Sequence, residues 1–315
     1  MSEREMQVLI ELVEKALGAG YLDIADWLRE SNDVGAIEEA IRRGDYAGAI
    51  KQIEEAARKL ASDVNASYVQ AGQAAAEWID SQPQAAGALV RFDITNDRAV
   101  ARAKASEYEL VQGYVAEQRE TTRQVISDGL ARGANPREMA RDIRDGLGLT
   151  PYQSQIVSNY RRELESGLYA DAMTRRLHNG QNDRTLERLE REGKGLTPAQ
   201  IDKMTEQYRQ GWVDYRAETI ARTEALRSVH EGTEETFRQA IERGDIDAED
   251  LTTEWHAGPR TMDARPEHQA ISGTTVPYGQ DFVMGDGTRM AYPGDPRGGA
   301  KHNANCRCAV SRSLL

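Results

Sequence analysis

Cysteine, phenylalanine and proline are scarce in this sequence of 315 residues, with two, three and nine copies. Two cysteines cannot build a disulfide framework. Cys306 and Cys308 are separated by one residue, a spacing at which a disulfide is strained. Also lacking is any apolar run near the ~18 residues of a membrane span. Residues 1–6, Met-Ser-Glu-Arg-Glu-Met, have neither the basic start nor the apolar centre of a signal peptide, so maturation in the cytoplasm is expected. An excess of positive charge is missing too. The net charge is −12, from 40 basic and 52 acidic residues. Residues 251–315 hold seven Lys and Arg against six Asp and Glu, which leaves 33 against 46 in the first 250. That balance argues against generic nucleic-acid binding, which needs a basic surface to displace phosphate counterions.

What is abundant is helix-forming sequence. Charged residues make up 29% of the chain and mean hydropathy is −0.68. Apolar residues recur at helical spacing through most of the first 250 positions. Met6, Leu9, Ile10, Val13 and Leu17 form one such run, and Gly18 and Gly20 are expected to end it. Short helices are expected at 21–30 and 34–43, and a longer one from Asp45 to Ile79. Ser81-Gln82-Pro83-Gln84 breaks the pattern and marks a first boundary. A helix is expected over Arg98–Arg132 behind an Asn96-Asp97 cap. Asn135-Pro136-Arg137-Glu138 opens another. Thr150-Pro151-Tyr152-Gln153 and Thr197-Pro198-Ala199-Gln200 are matched capping boxes. In each, Thr can accept from the amide three residues on while Gln reaches back. Apolar positions from Ile220 to Ile241 predict a further long helix, carrying Ala221-Arg222-Thr223-Glu224. His178 and His230 sit in polar helical stretches and call for no special role.

From about Thr252 the texture changes. Glycine and proline become frequent, and Phe282–Met284 and Arg289–Tyr292 flank Gly285-Asp286-Gly287-Thr288 as a hairpin. The expected architecture is mainly α, an elongated helical bundle followed by a small turn-rich α+β module. The expected division is a helical region over 1–85, a second over 86–250, and a Cys/His module over 251–315. A module of that size buries little core alone and needs a staple or a surface to dock on.

Three of the five histidines and both cysteines fall in the last 60 residues. Thiolates from Cys306 and Cys308 with imidazoles from His268 and His302 would make a closed tetrahedral zinc site, tying the chain's end to the module's start. The competing reading is two buried thiols that only pack, cysteine being among the most buried residue types. Arg260, Asp263 and Arg265 read as an ion-paired cluster holding loops together, which Arg222 and Glu224 can join from the neighbouring helix. A hydrolytic or nuclease site built on the His and Cys residues is the enzymatic alternative. It comes with no nucleophile elbow, paired carboxylate or H-E-x-x-H signature.

Taken in order, Ala221-Arg222-Thr223-Glu224, Trp255, Arg260 to His268, Gly273, Phe282, Tyr292-Pro293-Gly294-Asp295 and Asn305-Cys306-Arg307-Cys308 resemble the head-morphogenesis domain of tailed-phage minor head proteins, the group typified by phage Mu protein F. The resemblance covers about Phe92 to Val310 and leaves residues 1–85 outside. It implies a non-enzymatic minor capsid protein, made in the host cytoplasm and then carried in the virion head near the portal vertex. It implies a role in head assembly, DNA packaging or DNA ejection. The partners it implies are the portal protein, the scaffold or major capsid protein, and packaged DNA, with no membrane and no small-molecule substrate. An enzyme, or a DNA-contacting protein of the head interior, is the alternative.

Overall fold

The computed structural model describes residues 1–46, 48–85, 88–258 and 264–315. The chain is 69% helical, and among the described residues small sheets occur only at its C-terminal end. The mainly α fold with a small α+β module is therefore as expected. The helices are α1 (Glu3–Glu30), α2 (Val34–Arg42), α3 (Ile53–Asp80), α4 (Asp97–Arg132), α5 (Pro136–Gly146), α6 (Pro151–Ser166), α7 (Tyr169–Thr174), α8 (Gly180–Glu192) and α9 (Pro198–Arg243). Two five-residue helices, α10 (Pro266–Ala270) and α11 (Gly299–Asn303), lie in the terminal module.

Local capping chemistry sets several of these starts. Asn135 Oδ1 accepts from the Arg137 and Glu138 amides, and Glu138 returns a bond to the Asn135 amide. Thr150 with Gln153 and Thr197 with Gln200 close the same reciprocal box at α6 and α9. Two expectations fail. α1 does not end at Gly18 but runs on to Glu30. Its buried stripe continues through Leu17, Tyr21, Ile24, Ala25 and Leu28, and that burial outweighs the ~1 kcal/mol a helical glycine costs. The helix expected from Asp45 starts only at Ile53, because Asp45 Oδ1 accepts the Gly48 amide and holds a turn instead.

The chain divides into two compact units. One comprises Leu22–Lys59 and Glu109–Arg216. Its interior holds the stacked rings of Tyr160 and Tyr208, with centroids 4.2 Å apart. Its turn at Gly146–Leu149 is held by side chains. Arg209 donates to the carbonyls of Asp145 and Leu147, while Gln118 bonds Gly148 N and Leu149 O.

The other unit comprises Met1–Tyr21, Leu60–Tyr108 and Ala217–Leu315. The linear division into 1–85, 86–250 and 251–315 does not follow this partition. Residues 1–21 and 60–85 share a unit with the C-terminal module. Here α3 and α9 come so close that a Cβ on Gly232 would lie 2.3 Å from the Tyr68 carbonyl oxygen. Thr236 adds a hydroxyl bond to the Gly72 carbonyl at 2.9 Å.

The C-terminal module is a three-stranded antiparallel sheet with β1 (Leu251–His256) between β2 (Thr275–Pro277) and β5 (Ala309–Leu314). A separate hairpin pairs β3 (Phe282–Val283) with β4 (Arg289–Met290), as the turn residues predicted. Trp255 stands opposite Val310, and Thr253 opposite Arg312. Along β1, Leu251, Thr253 and Trp255 are buried and alternate with half-buried positions. Leu226 of α9, Trp255, Phe282, Met284, Met290, Cys306, Cys308 and Val310 form one buried apolar cluster. Arg312 anchors the sheet to α9. Its guanidinium meets Glu234 at 2.7 Å and lies over the Phe237 ring at 4.9 Å.

Candidate metal centre

Three segments supply the site. Pro266 at the first turn of α10 starts the helix that carries His268. The hairpin turn supplies Asp286, whose Oδ1 accepts the Thr288 amide at 3.0 Å. The last stretch, from α11 to β5, carries His302, Cys306 and Cys308. Asn305 adopts a left-handed backbone, with φ of 60°. That turn is clamped from α9: Arg222 Nη1 donates to Asn305 Oδ1 at 2.6 Å, and Thr223 Oγ1 accepts the Asn305 amide at 3.1 Å. Arg265 ties the α10 segment to it through the Ala304 carbonyl at 2.6 Å. Gly258 must be a glycine, because a Cβ there would lie 2.7 Å from the Arg307 carbonyl oxygen.

These constraints bring His268, Cys306 and Cys308 together. Their donor atoms all lie within 4.8 Å of one another, and all three residues are buried. His268 Nδ1 is 3.3 Å from Cys308 Sγ and 3.5 Å from Cys306 Sγ. A tetrahedral zinc with bonds of ~2.3 Å to sulfur and ~2.0–2.1 Å to nitrogen sets its nitrogen and sulfur ligands about 3.5 Å apart. The donor set fits three of the four positions of such an ion in both identity and spacing.

The sulfurs are also prepared for charge. The Cys308 amide faces Cys306 Sγ at 3.5 Å. The Gly258 amide acts on Cys308 Sγ in the direction of the thiolate. The two thiols interact strongly. The Cys308 thiol beside it, against the opposing effect of burial and with help from His268, holds Cys306 well below the ordinary thiol range. The Cys306 charge and burial push Cys308 up. A cation held by the pair would displace their protons.

His302 is not in this donor set. It stands on the far side of His268, with the two rings nearly coplanar, their centroids 5.3 Å and their planes 13° apart, and its Nδ1 3.0 Å from His268 Nε2. Its own Nε2 lies 3.1 Å from Asp286 Oδ2. Lys301 bonds the same oxygen. The Lys301 ammonium and the Thr288 amide hold the Asp286 carboxyl far below the usual carboxylate range. The sequence marks Asp286 only as a turn residue. No spacing signal announces its second role.

Among the remaining expected residues, Trp255 packs edge-on against both His268 and Phe282, with centroids 5.4 and 5.3 Å away. Arg222 also pairs with Glu14 at 3.2 Å. Glu224 is half-buried on α9. Arg260 and Asp263 lie outside the described residues. His230, expected to be an ordinary helical position, is instead fully buried and stacked on Tyr292. Burial and then the Arg312 charge push its pKa down to about 3.

Comparison of the chain with protein-family models, curated proteins and solved structures finds no match. Among the described residues no helix is long and apolar enough to cross a membrane.

Proposed function

We propose that this chain is a minor head protein of a tailed phage, and that its C-terminal module is closed by a structural metal ion of the zinc class. The observation that carries the reading is the convergence of the motif residues. Trp255, His268, Phe282, Cys306 and Cys308, spread along a stretch of more than 50 residues, meet in one buried knot. Arg222 and Thr223 of the same motif set clamp the turn that leads into it. A knot of this kind supports a scaffold role. His268, Cys306 and Cys308 expose 0%, 3% and 2% of their surface, which leaves a substrate no approach. The carboxylate in line with them, Asp286, is two imidazoles away from the sulfurs, too far to serve as a general base at a metal-bound water. Zinc, if bound, supplies the cross-link that so small a module otherwise lacks.

The expected partner is the portal protein, and the expected location is the head near the portal vertex. Co-expression of the full chain with the portal protein of the same genome, followed by native mass spectrometry, tests this. A complex of defined stoichiometry is the expected result. Folded protein that remains free beside an assembled portal would refute the portal assignment.

A further inference from the structure

The line of groups behind the three donors is continuous. Cys306 and Cys308 face His268 Nδ1, His268 Nε2 faces His302 Nδ1, and His302 Nε2 faces Asp286 Oδ2. We propose that His302 and Asp286 are positioning residues that select the His268 tautomer, so that Nδ1 is the nitrogen offered to the metal. The inference rests on a metal at the three-donor centre.

The argument is one of proton accounting. Asp286 Oδ2 sits between the Lys301 ammonium and His302, and as a carboxylate it only accepts. His302 must therefore hold its proton on Nε2. A metal on His268 Nδ1 takes that nitrogen's lone pair and leaves the neutral ring's one proton on Nε2, which faces His302 Nδ1. His302 Nδ1 is thus a bare lone pair, and it needs a donor. The group it faces is His268 Nε2, which must carry the proton. A neutral imidazole has one N–H, so His268 Nδ1 is left unprotonated. Its lone pair is then directed at the two sulfurs.

The turn explains why an aspartate occupies this place. Its two oxygens are divided between tasks: Oδ1 accepts the Thr288 amide and shapes the hairpin, while Oδ2 receives His302 and Lys301. One residue links the hairpin's conformation to the orientation of a ligand 18 positions away in sequence. A carboxylate or carbonyl behind a metal-bound histidine fixes its ring and raises its basicity. Here a second histidine is interposed, and losing such outer partners costs metal affinity about 10–100-fold.

The test uses the full chain, labelled with 15N and loaded with zinc. Long-range nitrogen–proton spectra should show His268 bound through Nδ1 and protonated on Nε2, and His302 protonated on Nε2 with Nδ1 bare and no metal shift. X-ray absorption at the zinc edge should show two sulfurs and one imidazole. Asp286→Asn keeps the oxygen that accepts the Thr288 amide, so the hairpin is retained. It should weaken zinc binding about 10–100-fold in competition with a chromophoric chelator. A metal shift on His302, two imidazoles at the zinc, ligation by His268 Nε2, or an unchanged affinity in Asp286→Asn overturns the proposal. Protein that takes up no zinc removes the metal reading alone. The relay is then decided by the His302 tautomer: a proton on Nε2 and not on Nδ1 sustains it, and the reverse refutes it.

Discussion

Gly232→Ala is a sharp test of how α9 and α3 hold the C-terminal unit together, because two effects of known size oppose each other. Helix propensity favours alanine over glycine by about 1 kcal/mol in a helix interior. Packing opposes it. The new Cβ would lie 2.3 Å from the Tyr68 carbonyl oxygen and 3.0 Å from both the Ala71 Cβ and the Gly72 amide nitrogen. Ordinary contact begins near 3.4 Å. The obstacle is backbone, which no rotamer change moves, so the helices must separate by about 1 Å. Overpacking of this kind costs roughly 1–3 kcal/mol. Separation also stretches the Thr236 hydroxyl bond to Gly72, at about 1 kcal/mol. After subtracting propensity, a net loss of about 2 kcal/mol is expected. Urea unfolding followed by circular dichroism measures it. Gly113→Ala in α4 is the control, since nothing lies within 4 Å of its Cβ position and it is exposed. That variant should gain up to about 1 kcal/mol. A Gly232→Ala protein as stable as wild type would refute the close helix approach.

Arg312→Met should cost about 2–3 kcal/mol by thermal or chemical unfolding, less than a fully stranded ion because Tyr278 and Arg238 still reach Glu234. Adding Glu234→Gln should recover part of that loss, and an additive double variant would contradict the pairing. Burial pushes the Asp142 carboxyl up to about 6 from 3.8, so the unfolded chain ionises first as pH rises. The native state then loses about 1.4 kcal/mol per pH unit between those values. Asp142→Asn should accordingly match wild type near pH 4 and exceed it by up to about 3 kcal/mol at pH 7–8. A difference that does not vary with pH would contradict the assignment. Gly258→Ala should displace the Arg307 backbone and with it both cysteines, lowering metal content in elemental analysis; full metal content would count against the placement of Gly258.

Helix starts were legible wherever a few neighbouring residues decide the outcome. The boxes at Asn135, Thr150 and Thr197 are complete within four positions, and the structure forms all three. The hairpin around Asp286 is local in the same sense. Features that depend on distant partners were not legible. Gly18 reads as a terminator, yet Ala221 stands 3.6 Å from the position its Cβ would take, so the same residue serves as a close packing point. His230 reads as polar-helical because its burial depends on Tyr292, more than 60 positions later. At the metal centre the residue types were legible and their roles were only partly so. Spacing placed His302 among the ligands with as much warrant as His268. What separates them is the orientation of two hydrogen-bonded rings and a carboxylate in a turn, and neither leaves a periodic trace.

The most direct test of the metal-closed module is metal analysis of the purified full chain, with its melting temperature recorded before and after a strong chelator. The account predicts close to one zinc-class ion per chain, released by the chelator with a lowered melting temperature, and absent from the Cys306→Ser/Cys308→Ser variant. Metal-free protein whose melting temperature is unmoved by chelator or by added zinc would contradict it, leaving Cys306 and Cys308 as packing residues.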